Sequence, residues 1–168
     1  MMRTDLARPK LWQTKEGGFS LIELLIVVAV LLIIAAIAIP NFVRSKMRAN
    51  ESAAVQNMRI ITTANVVYLT TYGIGFAEDL TKLGGNLVIV DSNNAGLIDS
   101  VLASGTKSGY IYTYTVLVRD PASHPVSYSV TATPTTIGVT GDRYFYTDQT
   151  AIIRQSTTGT AGPTDAPI

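Results

Sequence analysis

One acidic side chain, Glu23, stands inside an otherwise apolar run at residues 19–39. The run has 21 residues, and Glu23 is the only charged one. As an α-helix it spans roughly 30 Å, the thickness of the hydrocarbon core of a bilayer. A carboxylate inside a membrane helix costs about 2.5–3.5 kcal/mol, so such an acid usually has a partner or a function. The chemistry of Glu23 therefore needs an explanation.

An amine that could neutralise Glu23 is produced if the chain is cut nearby. Glu23 lies one helical turn after Phe19, so a cut between Gly18 and Phe19 places a free ammonium group at the start of the helix. The acid and the amine then meet within one subunit or between neighbours. The alternative is that Glu23 lies near the headgroups and extends its carboxylate into water.

The residues alone leave three fates open for the apolar run. Four basic and two acidic residues precede Phe19, which predicts a cytoplasmic N-terminus and a C-terminal bulk that crosses the membrane. Residues 36–38, Ala-Ile-Ala, offer a cleavage site for a secretory signal, but the run is longer than the about 7–15 residues that such signals use. The second fate is an uncut signal anchor. The third is removal of a basic leader, residues 1–18.

Two stretches of this region resemble a known family. Residues 17–29, GGFSLIELLIVVA, and residues 35–42, AAIAIPNF, are similar to the N-terminal signature of type IV pilins and of the related pseudopilins of type II secretion systems. The resemblance implies that a prepilin peptidase cuts after Gly18 and N-methylates Phe19. It also implies that Glu23 sets the register of subunits in a fibre core by neutralising the N-terminal amine of an adjacent subunit.

The chain departs from that signature at one position. Many family members have a helix-loosening glycine in the middle of the run, where this chain has Leu32. Pro40 is retained, and we expect a kink there because proline has no amide hydrogen to donate within a helix. Leucine is a far better helix former than glycine, so the sequence does not favour melting of the segment before Pro40.

The helical pattern continues beyond the apolar run. A stripe recurs at steps of three and four residues and ends at Gly73-Ile74-Gly75. The stripe contains Ala54, Met58, Ile61, Asn65, Tyr68 and Tyr72. Polar positions lie among these turns at Arg44, Lys46, Arg48, Glu51 and Arg59. The pattern predicts one helix of about 50 residues. Residues 19–40 are its membrane and assembly segment, and residues 41–72 are an amphipathic continuation that packs on a sheet.

The rest of the chain predicts a small antiparallel sheet. Residues 110–118 are rich in aromatic and β-branched side chains, and residues 126–133 alternate between apolar and hydroxyl side chains. Residues 143–147 and 151–155 form a predicted hairpin. The expected fold class is therefore α+β, a long N-terminal helix on three to four strands within residues 110–155. Residues 73–109 connect helix to sheet, with short helices expected at 76–83 and 95–103. Residues 156–168 are expected to be a flexible tail.

The polar residues outside the apolar run offer little chemistry. His124 is the only histidine and cysteine is absent, which nearly excludes a zinc site of the usual ligands. A Ser-His-Asp triad would have to use His124, which lies in a proline-flanked turn. The loop from Asp91 to Gly96, with Asp99, partly resembles a calcium loop, but Leu102 stands where an EF-hand places its last acid. We predict no metal, cofactor or catalytic residue.

These features predict a structural protein rather than an enzyme. The resemblance implies a precursor that lies in inner-membrane lipid, with its C-terminal domain in the periplasm, and then polymerises with copies of itself. It also implies three partners: a prepilin peptidase/N-methyltransferase, a membrane platform and a cytoplasmic ATPase. The fibre is an extracellular type IV pilus, which we favour, or a periplasmic pseudopilus for protein export. A membrane-anchored binding domain that never polymerises is the rival class.

Nucleic acid is not an expected partner. After residue 18 the chain has nine basic and ten acidic residues, so this part has no general attraction for a polyanion.

Overall fold

The computed structural model describes residues 18–85 and 90–168, and this part of the chain confirms the predicted α+β class. The described helices are α1 (Leu21–Tyr72), α2 (Leu80–Leu83) and α3 (Ser100–Ala103). The described strands are β1 (Thr106–Lys107), β2 (Tyr110–Arg119), β3 (Pro125–Pro134), β4 (Tyr144–Asp148), β5 (Arg154–Ser156) and β6 (Ala166–Pro167). Helix α1 has 52 residues, close to the predicted length.

The chain divides into two compact units, Met1–Ile39 and Pro40–Ile168. In the first unit, the part of α1 at residues 21–39 is apolar on all sides except at Glu23, and none of its side chains is buried. Leu21, for example, is 87% exposed. By length and composition, α1 contains a segment able to cross a membrane. So large an apolar surface needs lipid or other protein around it.

Pro40 lies inside α1, at the start of the second unit. Proline has no amide hydrogen, so Pro40 cannot donate the helical hydrogen bond to the carbonyl of Ala36. The kink expected at this residue stays a prediction.

The core of the second unit lies between one face of α1 and one face of the sheet. The predicted stripe forms the helix side, because Ala54, Met58 and Ile61 have no exposed surface and Tyr68 is almost fully buried. The sheet side contributes Tyr110, Tyr112, Tyr128, Val130, Ala132 and Phe145. Tyr114 stacks on Tyr128 with ring centroids 5.2 Å apart, and Phe76 packs edge-on against Tyr128. Aromatic side chains of β2 and β3 therefore form a large part of the sheet side of this core.

The sheet is an antiparallel meander in which neighbours along the chain are neighbours in space, from β1 to β6. Strands β2 and β3 pair over most of their length, with Thr113 opposite Thr131. The four predicted strands correspond to β2, β3, β4 and β5. The sequence missed β1 and β6, because a strand of two residues has no alternating pattern to detect.

The C-terminal residues lie along the edge of the sheet. Strand β6 pairs with β5, and the amide of Ile168 donates to the carbonyl of Ile153 at 2.9 Å. Ala161 is only 3% exposed. This segment has few large apolar side chains, and backbone pairing rather than side-chain burial places it. The sequence predicted a flexible tail at residues 156–168 and did not predict the pairing of β6 with β5.

The region between α1 and β1 is shorter in helix than expected. Asp79 accepts a hydrogen bond from the amide of Lys82 and caps α2, and Asp99 accepts one from the amide of Leu102 and caps α3. The two helices therefore begin at residues 80 and 100, later than the predicted starts at 76 and 95. Residues 76–79 are not helical. The amide of Phe76 donates instead to the carbonyl of Pro125 at 2.8 Å, at the start of β3.

Candidate processing and assembly site

The Gly18–Phe19 bond lies outside the helix. Helix α1 begins at Leu21, and Gly18, Phe19 and Ser20 have no helical or strand structure. Phe19 is 82% exposed, and a Cβ added at Gly18 would have no atom of the described chain beyond its two neighbours within 4 Å. A peptidase needs an accessible, non-helical peptide bond. The geometry on both sides of the predicted cleavage bond meets that need.

Glu23 folds back onto Ser20, the last residue before the helix. Its Oε2 accepts a hydrogen bond from the backbone amide of Ser20 at 3.0 Å. Ser20 is the N-cap position of α1 and Glu23 is the third residue after it, so this is one half of a capping box. The negative charge also lies at the positive end of the helix dipole. Glu23 therefore has a structural role in the single chain.

Sequence reasoning missed this cap although its signal was present. Ser20 followed three residues later by Glu23, ahead of an apolar run, has the Ser-x-x-Glu spacing that marks a helix start. The structure thus brings Glu23 next to Ser20, one residue after Phe19. Pro40 lies 17 residues further along α1 and takes no part in this cluster.

A second polar cluster fastens α1 to the sheet. Glu51 is 6% exposed and its Oε2 accepts from Nε of Arg143 at 2.8 Å. Its Oε1 accepts from the backbone amide of Asp142 at 3.0 Å. Arg143 also donates from Nη1 to the side chain of Gln155 at 2.9 Å, which ties the cluster to β5. From the sequence, Glu51 was identified only as a polar position among the helical turns, and its burial and its partners were not predicted.

Burial and hydrogen bonding act in opposite directions on Glu51. Burial raises the pKa of its carboxyl, but the hydrogen bonds from the Asp142 amide and from Arg143, together with the charge of Arg143, outweigh it. The net pKa lies below the ordinary value of 4.5. Glu51 is therefore an ionised, paired carboxylate at neutral pH.

Asn65 joins α1 to the segment that follows it. The side chain has no exposed surface, and its Oδ1 accepts from the amide of Ala77 at 3.2 Å and from the hydroxyl of Tyr114 at 3.0 Å. Its Nδ2 donates to the carbonyl of Ile61 at 3.2 Å. One residue of the predicted apolar stripe is thus a polar junction between helix, connecting segment and sheet.

The residues considered for chemistry have structural partners. The backbone amide of His124 donates to Asp120 at 2.7 Å, and its ring Nδ1 lies 3.3 Å from the other oxygen of Asp120. Asp91 accepts from the amides of Asn93 and Asn94, while Asp99 pairs with Lys107 at 2.7 Å. Within residues 18–85 and 90–168, no group of three or more histidine or acidic side chains is placed to hold a metal ion.

Comparison with known proteins places these features in a family. Residues 13–39 match the family described as the prokaryotic N-terminal methylation motif. A fimbrial protein of Pseudomonas aeruginosa is 35% identical over 111 residues, which cover 56% of this chain and 71% of that protein. The chain belongs to the type IV pilin family. A second fimbrial protein of Pseudomonas aeruginosa has the same identity to this pilin-family chain over the same length.

The similarity of this pilin-family chain to other relatives is concentrated in a shorter region. The type IV major pilin protein PilA of Myxococcus xanthus (strain DK1622) is 50% identical over 50 residues. Those residues are 30% of this chain and 23% of PilA. No solved structure matches the chain significantly.

Proposed function

We propose that this chain is the structural subunit of a pilus, which polymerises through the apolar half of α1. The observation that carries the proposal is the surface of residues 21–39, which is apolar all round apart from Glu23 and has no buried side chain. Lipid covers this surface before assembly, and copies of the same helix cover it in the fibre. The exchange replaces one apolar environment by another, so it carries little hydrophobic cost.

Processing prepares the helix for this assembly. The leader, residues 1–18, is removed by a prepilin peptidase, which then methylates the new amine of Phe19. The accessible Gly18–Phe19 junction and the match to the N-terminal methylation motif support this step. The new ammonium group lies next to the carboxylate of Glu23, or next to that of a neighbouring subunit, where it compensates the buried charge.

The location follows from the same features. The precursor lies in the inner membrane through residues 19–40, with residues 41–168 in the periplasm, where they become the fibre surface. A membrane platform and a cytoplasmic ATPase supply the energy for directional assembly. The role is structural rather than catalytic, in keeping with the relatives, which are named as pilins and fimbrial proteins.

The N-terminal peptide of the protein from its native cells tests processing. Peptide mass spectrometry should find a chain that starts at N-methylated Phe19. An intact Met1 identifies a simple anchor, and a start at Ile39 identifies a secreted domain; either contradicts the proposal.

Fibres are tested in the same cells. Shearing should release fibres that contain this chain, and deletion of the gene should remove them. If deletion abolishes protein export and leaves fibres intact, the chain belongs to a secretion pseudopilus instead.

A further inference from the structure

Three cations without partners follow the apolar run. Arg44, Lys46 and Arg48 lie between Glu23 and Glu51 with no other acid in this interval. All three side chains are exposed. Among the residues that the structure describes, no side chain of the three has an ion-pair or hydrogen-bond partner. Clusters of unpaired cations close to a membrane segment attract acidic lipid headgroups.

Two of these cations form a shaped site and the third does not. Arg44 and Arg48 are four residues apart and share one face of α1, whereas Lys46 is on the opposite face. Arg44 and Arg48 line an open depression of about 620 Å³ together with Arg143. The remaining lining residues are Met47, Glu51 and Asp142.

The charge and geometry of the depression suit a single phosphodiester. Glu51 is already occupied by Arg143 and by the amide of Asp142, and the carboxylate of Asp142 accepts from the amide of Gly138 at 3.1 Å. Three arginines against these two acids leave one net positive charge. Guanidinium groups bind phosphate through two parallel hydrogen bonds, which a lysine cannot do.

In the proposed orientation Arg44, Lys46 and Arg48 lie on the periplasmic side of the membrane, where basic residues are not expected. Basic residues normally favour the cytoplasmic side of a membrane helix. Three cations directly after the apolar run oppose the four in residues 1–18 and weaken the orientation signal. A negatively charged ligand on the periplasmic side would explain why basic residues are present there although they weaken the orientation signal.

We propose that Arg44 and Arg48 bind the phosphate of an acidic phospholipid in the leaflet from which α1 emerges, next to the charge of Arg143, whose nitrogens already donate to Glu51 and Gln155. This inference rests on the proposed insertion of residues 19–39 in the membrane. The bound lipid holds the subunit against the membrane surface and is released when the subunit enters the fibre. An acidic surface of a second copy is the competing occupant.

Native mass spectrometry of the full chain in neutral detergent tests the site. The protein is offered equal amounts of phosphatidylglycerol and phosphatidylethanolamine, and the ratio of retained lipids is measured. We expect a preference for phosphatidylglycerol that falls about fivefold for each arginine lost, or about 25-fold in Arg44→Gln/Arg48→Gln. Lys46→Gln is the matched control, with the same charge change at the same chain distance from the membrane, and should change the ratio less than about twofold.

A charge-conserving variant distinguishes the paired hydrogen bonds of the guanidinium groups from attraction by their positive charge alone. Arg44→Lys/Arg48→Lys should retain part of the preference, because the charges remain and the paired hydrogen bonds are lost. No lipid preference in the wild-type chain overturns the proposal, and so does a loss in Lys46→Gln as large as in the double glutamine variant.

Two further measurements distinguish binding of a second copy of the chain and failure of the proposed function from failure of the lipid proposal. If the double glutamine variant keeps its lipid preference and fails to form fibres, the depression binds a second copy and the lipid proposal is wrong. The same spectra give the N-terminal mass. An uncut chain contradicts the proposed function and leaves the lipid measurement interpretable.

Discussion

The carboxylate of Glu51 and the guanidinium of Arg143 meet across 92 residues of chain, with Nη2 2.7 Å and Nε 2.8 Å from the same oxygen. Glu51 is nearly buried, while the side chain of Arg143 is 39% exposed. The contact joins the middle of α1 to the start of β4. It is the main polar fastening between the helix and this end of the sheet.

Removing this carboxylate should weaken the second unit. We expect Glu51→Ala to lower the free energy of unfolding by about 1–3 kcal/mol, because it leaves the amide of Asp142 without its acceptor. Arg143 can turn towards water, which limits the loss. Chemical denaturation of the full chain in detergent, followed by circular dichroism of the tyrosines, measures the effect.

The exposed pair of Lys107 and Asp99 provides the control. Lys107→Ala removes an ion pair of equal length in a more exposed place, so it should cost less than about 1 kcal/mol. Equal losses in the two variants would show that burial of Glu51 contributes nothing.

The same carboxylate should make stability sensitive to acid. The pKa of Glu51 in the folded protein lies below the ordinary value of 4.5, so its stabilising effect is complete above that pH. The effect is lost as the pH falls through the lower, folded-state pKa. In Glu51→Gln, the decline of the free energy of unfolding between pH 5 and pH 3 should therefore be shallower than in the wild type. Parallel declines in denaturation experiments at these pH values contradict the prediction.

Buried tyrosines should make the protein sensitive to alkali. Burial raises the pKa of Tyr112 and of Tyr128 to about 12, and raises that of Tyr110 and Tyr114 further. A raised pKa stabilises the fold below the ordinary value of about 10, and this contribution is lost as the pH rises through 12.

The tyrosine prediction has a direct spectroscopic test. Tyrosinate absorbance of the buried group should appear together with loss of the near-ultraviolet circular dichroism. Ionisation of all eight tyrosines near pH 10 with the fold intact contradicts the prediction.

Two glycines after α1 should respond differently to the same substitution. Gly73 and Gly75 both have positive φ, at 67° and 86°. A Cβ at Gly73 meets open space, whereas one at Gly75 overlaps the carbonyl of Pro125, which accepts the hydrogen bond from Phe76. Gly73→Ala should cost about 1–2 kcal/mol from backbone strain alone. Gly75→Ala should cost about 2 kcal/mol more, because backbone has to move.

Thermal unfolding of the two glycine variants in one detergent gives the comparison. A loss for Gly73→Ala equal to that for Gly75→Ala would mean that the contact between residue 75 and Pro125 is not needed.

Two variants separate the cap and the charge of Glu23. Glu23→Gln keeps an oxygen that can accept from the Ser20 amide and loses the negative charge. Glu23→Ala loses both. We expect both variants to be cut at the Gly18–Phe19 bond and both to yield at least about tenfold less sheared fibre than wild type, since each lacks the charge that we propose pairs with the amine.

The cap should contribute only to the helix start. Loss of the cap in Glu23→Ala costs about 1 kcal/mol of helix stability and should leave fibre yield near that of Glu23→Gln. If Glu23→Gln assembles normally and Glu23→Ala does not, capping rather than charge is what assembly needs.

Local patterns in the sequence were enough to predict the features that lie within short stretches of chain. The apolar run, its acid at position 23, the glycine before Phe19 and the stripe from Ala54 to Tyr68 all lie within short stretches of chain. Periodicity and composition report directly on such stretches, because each turn of a helix or step of a strand repeats the same environment. The long helix, the α+β class and four of the strands followed from them.

Contacts between residues far apart in the chain could not be predicted in this way. Periodicity places Glu51 on the buried stripe, three residues before Ala54, but it does not identify Arg143, 92 residues further along the chain, as its partner. The partners of Asn65, Ala77 and Tyr114, are likewise distant in sequence. Strand β6 forms because its backbone pairs with the edge strand β5. Such contacts depend on where whole elements pack. A pairing across a long loop leaves no periodic mark in either of the segments that form it.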